Sequence, residues 1–160
     1  MKTLILFLIS FLISSTTFAA SFADKFLDGD SRYIKVGASM GAASYFDRDS
    51  VKVELYEPPI YIISMEILSV PIHPANGNTI YSRSIRFKYD YENRKIYTFD
   101  RDNNEIYIDP DVYYGEGSGY RIPAAEAAFA IAYNLKFYGN MDQNFYDSID
   151  FGRGTIQDSL

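Results

Sequence analysis

Cysteine and tryptophan are absent from the 160-residue chain, and histidine occurs once, at His73. The missing thiols exclude disulfide scaffolds, thiolate nucleophiles, Cys-type zinc sites and lipid anchoring through a cysteine. One histidine also excludes a metal site built from two or more histidines of one chain. Long apolar runs are scarce as well: beyond residue 13 no segment approaches the roughly 20 apolar residues of a membrane-spanning helix. What is present, 48% hydrophobic and 17% aromatic residues, is the composition of one globular domain.

The one long apolar run stands at the N-terminus. Lys2 supplies a positive charge, residues 4–13 are apolar except for Ser10, and Ser14-Ser15-Thr16-Thr17 and alanines follow. That order is a secretory signal peptide, with cleavage after Ala19 or after Ala23. The expected organisation is a signal over 1–23, an α+β domain over 24–139 and a polar, acidic tail over 140–160. The protein is expected to be exported to the periplasm, the cell surface or the medium, with no transmembrane segment once the signal is removed. Without Lys2, 21 acidic residues face 14 basic ones. An acidic domain of this kind lacks the basic footprint that nucleic acid demands. Small exported domains often use disulfides, whereas this one must rely on its core. About 137 residues can bury about two-thirds of the unfolded chain's surface, so a sufficient core is feasible.

Read along the chain, residues 24–31 form a polar leader and 32–36 a strand, with 37–41 a loop. Two β-rich runs, 44–46 and 51–55, flank a polar turn at Asp47-Arg48-Asp49-Ser50. Pro58-Pro59 opens a longer strand over 60–72, where missing N–H groups do least harm. Asn76-Gly77 favours a hairpin loop. Residues 80–91 alternate most clearly: Tyr81, Ile85, Phe87, Tyr89 and Tyr91 share a face interrupted by Arg83, and Ser82, Ser84, Arg86, Lys88 and Asp90 share the other. Polar turns at 92–94 and 100–104 lead into strands at 95–99 and 105–109, and such short connections join antiparallel neighbours.

A glycine-rich loop at 115–119 precedes a helix expected over 124–138. Pro123 suits its first turn, Glu126 its positive end, Lys136 its negative end and Gly139 its stop. Ala124, Ala128, Ile131, Leu135 and Tyr138 recur at helical spacing, widened by Phe129, Tyr133 and Phe137. So apolar a helix must be buried on the aromatic sheet face. The fold class is therefore α+β: an antiparallel meander of about six strands with one C-terminal helix packed on one face.

Candidate chemistry is sparse. Asp100-Arg101-Asp102-Asn103-Asn104 offers oxygens at the first, third and fifth positions of a calcium loop, but Glu105 stands where glycine is needed and Asp111 replaces the closing glutamate. A hairpin turn fits these residues better. The glycine loop carries Glu116 and no following lysine, unlike a phosphate cradle. His73 has no Gly-x-Ser-x-Gly partner. The carboxylate pairs Asp47/Asp49, Asp100/Asp102 and Asp109/Asp111 all fall in turns. No catalytic residue, metal ligand or cofactor is therefore assigned, and a non-enzymatic protein is expected. Binding candidates are Arg86 and Lys88, on the outward face of their strand with Arg83 on the other side, and Tyr113, Tyr114 and Tyr120 around the glycine loop. Arginine and tyrosine combine contact area with polar tips and are common at interfaces.

The run 32–37 followed by Tyr45-Phe46-Asp47-Arg48-Asp49-Ser50-Val51 resembles the opening of surface-adhesin protein E-like domains, where a strand precedes an aromatic-Asp-x-x-Ser-hydrophobic motif. Tyr89-Asp90-Tyr91, Lys95-Ile96-Tyr97, Ala125-Glu126-Ala127-Ala128-Phe129 and Tyr133-Asn134 are similar to uncharacterised exported relatives in Gram-negative-walled Firmicutes. The resemblance covers residues 32–138. It implies an antiparallel sheet with a C-terminal helix, and a surface protein that adheres to host matrix, plasma or other envelope proteins. The best-known adhesin of this type pins its helix with a disulfide, and this chain has no cysteine to do so. No ligand-binding residues are carried over. The alternative is a periplasmic ligand-binding or envelope-maintenance module with a pocket between helix and sheet. Oligomeric state is left open.

Overall fold

A computed structural model describes residues 25–39, 41–73, 79–111 and 119–150. The signal segment, Asn76-Gly77, Tyr113, Tyr114 and most of the glycine loop lie outside the described residues. Seven strands, β1 (Phe26–Leu27), β2 (Asp30–Ser39), β3 (Ala42–Glu57), β4 (Ile60–Pro71), β5 (Tyr81–Asp90), β6 (Lys95–Phe99) and β7 (Glu105–Ile108), form one antiparallel sheet in sequential order. Helix α1 (Arg121–Tyr133) and the short α2 (Gln143–Ser148) follow. The α+β meander with a helix after the sheet is thus as expected, and no helix among the described residues is long and apolar enough to cross a membrane.

Alternation decides which face is covered. Ile34, Val36, Phe46, Ile63, Met65, Ile67, Phe87, Tyr89, Ile96 and Ile108 point to the helix and are buried there against Ala124, Ala125, Ala128 and Phe129. These three small alanines let the helix backbone approach the sheet, and Tyr89 donates to the Ala125 carbonyl at 2.8 Å. A second, smaller cluster of Leu27, Ala43, Tyr45 and Val70 is buried elsewhere in the chain.

Several boundaries differ from the sequence reading. The leader is partly ordered: Asp28 and Gly29 take positive φ (52° and 79°) and turn β1 back on β2, as an Asp-Gly pair favours. The loop at 37–41 is mostly strand, since Gly37, Ala38 and Ser39 pair with Ser44, Ala43 and Ala42 after a bulge. Asp47-Arg48-Asp49-Ser50 is not a turn between strands. Its two flanks pair with the same strand, β4, and the register passes from Asp47–Glu66 to Lys52–Ser64, so the extra residues form a bulge. Pro58-Pro59, joined by a cis peptide bond, is the β3–β4 connection rather than the start of β4.

The helix begins three residues earlier than expected and stops at Tyr133. Asn134, with φ 52° and ψ 37°, ends it by donating its N–H to Ala130 O at 2.8 Å. A left-handed asparagine is an ordinary helix stop. Leu135 consequently lies exposed although it continues the apolar spacing, while Phe137 returns to the core. Glu126 does not serve the helix dipole. It is fully buried, and its carboxylate accepts from the N–H groups of Tyr138 (2.8 Å) and Gly139 (3.1 Å) and from the Tyr146 hydroxyl (2.6 Å). Lys136 sits over the Tyr146 ring at 3.9 Å. Residues expected in a polar tail therefore belong to the packed structure through Asp150: Asp142 caps α2, and Tyr146 and Ile149 are core residues.

Candidate functional site

Strand β5 is ten residues long, but β6 is five, and the two pair only over Phe87–Thr98 to Asp90–Lys95. On that side residues 81–86 have no neighbouring strand among the described residues. The polar turn at 100–104 carries the chain into β7 before β6 can extend further. A notch is left in the sheet beyond Phe99, and it opens into a cleft of about 510 Å³.

The notch brings both faces of the sheet to one place. Arg83, Ile85, Thr98 and Ile106 belong to the helix-side rows, Ser84, Arg86 and Phe99 to the opposite rows, and Arg101 stands in the turn. The start of α1 adds Tyr120 and Arg121. Gly37 on β2 seats this helix start, because a Cβ there would lie 3.0 Å from the Gly119 carbonyl oxygen and 3.1 Å from Tyr120 Cβ. Tyr120 in turn lies under the Arg83 guanidinium, which donates to its hydroxyl.

Four arginines thus converge where Asp100 is the single lining carboxylate. Asp100 is already engaged in its own turn, accepting from the N–H groups of Asp102 and Asn104 and from Asn104 Nδ2. Those bonds, the Asn104 ones first, hold its carboxyl below the usual range. Arg86 is partly compensated: it donates to Glu54 at 2.8 Å and to Asn103 at 2.9 Å, and lies over the Phe99 ring. Arg83 has Tyr120 alone as a side-chain partner among the described residues, and burial, then the charge of Arg121, lowers its pKa from the ordinary arginine value. It remains a cation near neutrality. Arg101 and Arg121 form no ion pair among the described residues, and Arg121 Nε is buried without a hydrogen-bond partner. The first turn of α1 has no acidic residue and no side-chain cap, so its positive end adds to the field. This arrangement suits anionic oxygen atoms, which guanidinium groups bind in paired hydrogen bonds.

Of the binding candidates read from sequence, Arg86 and Tyr120 meet in this cleft. Lys88 lies outside it on the opposite face, paired with both Glu105 oxygens at 2.7 Å and set over Tyr97. Tyr113 and Tyr114 fall outside the described residues. The sequence reading missed Arg101 and Arg121. One signal for Arg121 was available, since a cation at the positive end of a helix is unfavourable unless something anionic offsets it.

The other sequence candidates have structural partners. Asp47 takes Arg32 through two hydrogen bonds (2.7 and 2.5 Å) and also accepts the Asp49 N–H. Ser50 donates to the Asp47 carbonyl and accepts the Glu66 N–H, so the aromatic-Asp-x-x-Ser motif builds the β3 bulge. Asp109 accepts from the Asp111 N–H. His73 is exposed just beyond β4. Among the described residues no group of three or more acidic or histidine side chains is placed to hold a metal ion. In comparisons with known proteins, no family model matches the chain, and no curated protein or solved structure matches it significantly.

Proposed function

We propose that this is an exported, non-enzymatic surface or envelope protein, of the adhesin E-like type, that acts by protein–protein contact through the arginine-lined cleft. The observation that carries this reading is the convergence of Arg83, Arg86, Arg101 and Arg121 beside Tyr120 and Phe99 at an open edge of the sheet. Arginine and aromatic side chains dominate binding energy at protein interfaces. A ligand-binding module with its pocket between helix and sheet has less support. That interface is filled by Ala124, Ala125, Ala128, Phe129, Tyr89 and Phe137, all essentially without exposure.

The test is binding of the purified mature protein to a panel of extracellular matrix and plasma proteins, beside a double variant Arg101→Gln/Arg121→Gln. Saturable binding in the micromolar range, weakened by about tenfold or more in the variant, is the expected result. Equal retention of wild type and variant, or no binding to any panel member, counts against the reading. Surface proteolysis of intact cells, set against fractionation, separates a surface protein from a periplasmic one.

A further inference from the structure

We propose that the cleft receives an extended acidic segment of a partner protein, which adds to the free edge of β5 as a strand. This rests on the function proposed above and names what the cleft takes. Alternate residues of an antiparallel strand turn their N–H and C=O groups to opposite neighbours. Residues 81–86 have β4 on one side and, among the described residues, no strand on the other, where the Thr98 hydroxyl donates to the Arg86 carbonyl at 3.3 Å; beyond that bond, every second residue aims a donor and an acceptor into the notch. No backbone–backbone hydrogen bond from a turn or loop among the described residues fills those positions. A segment in line with β6 would run about 20 Å beside them, roughly six residues.

The side chains around this edge choose the partner's chemistry. An added strand sends successive side chains to opposite faces of the sheet. Arg83 belongs to the helix-side row with Arg121 beside it, and Arg86 to the opposite row, so carboxylates three positions apart on the added strand, which face opposite ways, would each meet a guanidinium. Arg121 Nε, buried without a hydrogen-bond partner among the described residues, lacks there the acceptor that such a carboxylate supplies. Exposed Tyr81 and Ile106 flank the edge and offer apolar contact. Charged residues also guard sheet edges against unwanted pairing. That role alone would not require four of them to converge, nor one to bury its Nε unbonded. An anionic polysaccharide could satisfy the arginines but leaves the backbone edge unpaired, which is why the peptide is favoured.

The probe is a fluorescein-labelled eight-residue peptide, six Glu and two Val, measured by polarisation against the full mature protein. Two further peptides carry N-methyl groups on every second amide, one in each phase. Strand addition expects saturable binding that one methylation phase weakens by about tenfold or more while the other changes it little, because only one phase faces β5. Arg101→Gln and Arg121→Gln should each weaken binding several-fold, and Lys88→Gln should not. Arg101 is exposed in a turn with no side-chain partner among the described residues, so that variant tests the cleft even if the Arg121 one folds poorly. Equal response to both methylation phases overturns strand addition, as does tight binding of a heparin oligosaccharide without binding of the peptide. Matrix binding that needs the arginines, with no peptide binding, removes only this inference; loss of both removes the proposed function as well.

Discussion

At the scale of single residues, the strongest polar fixture is Asp47, almost fully buried at the head of the β3 bulge. Its side chain is 8% exposed, against 45% for Arg32, so the carboxylate needs the pairing more than the guanidinium does. The two Arg32 bonds, aided by the Asp49 N–H, hold the Asp47 carboxyl below its ordinary range. A carboxyl with a lowered folded pKa stabilises the fold fully above its unfolded value of about 3.9, and that contribution is lost as pH falls through the folded value. Asp47→Asn keeps the shape but gives up the charge-assisted pair, at a cost of about 1–2 kcal/mol at pH 7. Urea unfolding of variant and wild type should show that gap at neutral pH and should show it closing in acid. A gap that persists unchanged below the folded pKa would sink the argument. The sequence displayed this residue in a recognisable motif, yet the motif reads equally as a turn. What distinguishes bulge from turn is Arg32, fifteen residues earlier, and the return of both flanks to β4. Neither is visible in a local pattern. The cleft arginines are a similar case, because Arg83, Arg101 and Arg121 belong to three separate segments that only the premature end of β6 brings together.

Among the elements, the meander was readable because its turns are too short for anything except antiparallel neighbours, and the helix because its apolar spacing runs unbroken. The end of the helix was not readable. Leu135, Phe137 and Tyr138 continue the apolar character past Asn134, and only the left-handed backbone there breaks the periodicity. The chain then turns back along the helix, with Glu126 as its fixed point. One buried carboxylate accepts from two backbone N–H groups and one tyrosine hydroxyl, joining α1 to the segment that leads into α2. Glu126→Gln keeps the volume but replaces one acceptor oxygen by an amide that faces donors. Leaving a buried donor without an acceptor costs about 1–3 kcal/mol. Hydrogen exchange should locate the effect: the amides of Tyr138, Gly139 and the α2 turn should exchange faster, beyond any change in the β3–β5 ladder. A uniform rise across the sheet would mean that Glu126 supports the core generally and does not tether the C-terminal segment.

Over the whole molecule, a core without cysteine or tryptophan is closed largely by tyrosine and phenylalanine. Tyr61, Tyr89, Phe129, Tyr133 and Phe137 form a connected set of rings with centroids 5.0–5.6 Å apart between Phe129 and its neighbours. Tyrosine carries an ionisable hydroxyl into that core, and burial raises the pKa of Tyr61, Tyr89, Tyr133, Tyr138 and Tyr146, reaching about 12 at Tyr133 and Tyr138. Glu126 adds to the effect at Tyr146 and Tyr89. In the unfolded chain these hydroxyls ionise near 10. Above that pH the folded state therefore holds more protons than the unfolded state, and stability must fall as pH rises. Below about pH 9 these groups are protonated in both states and contribute no slope. Several tyrosines act in the same direction, so the fold should be markedly sensitive to alkali. The urea midpoint should be level between about pH 7 and 9 and then fall steeply above 10, with tyrosinate absorbance appearing together with loss of the far-ultraviolet β signal. Tyr133→Phe offers an internal control, because its buried hydroxyl has no hydrogen-bond partner among the described residues. Removing that group should leave neutral-pH stability unchanged or slightly higher and should make the alkaline slope shallower. Ionisation of these tyrosines one by one, well before the sheet unfolds, would show that water reaches the ring cluster and that packing does not couple their titration to the fold.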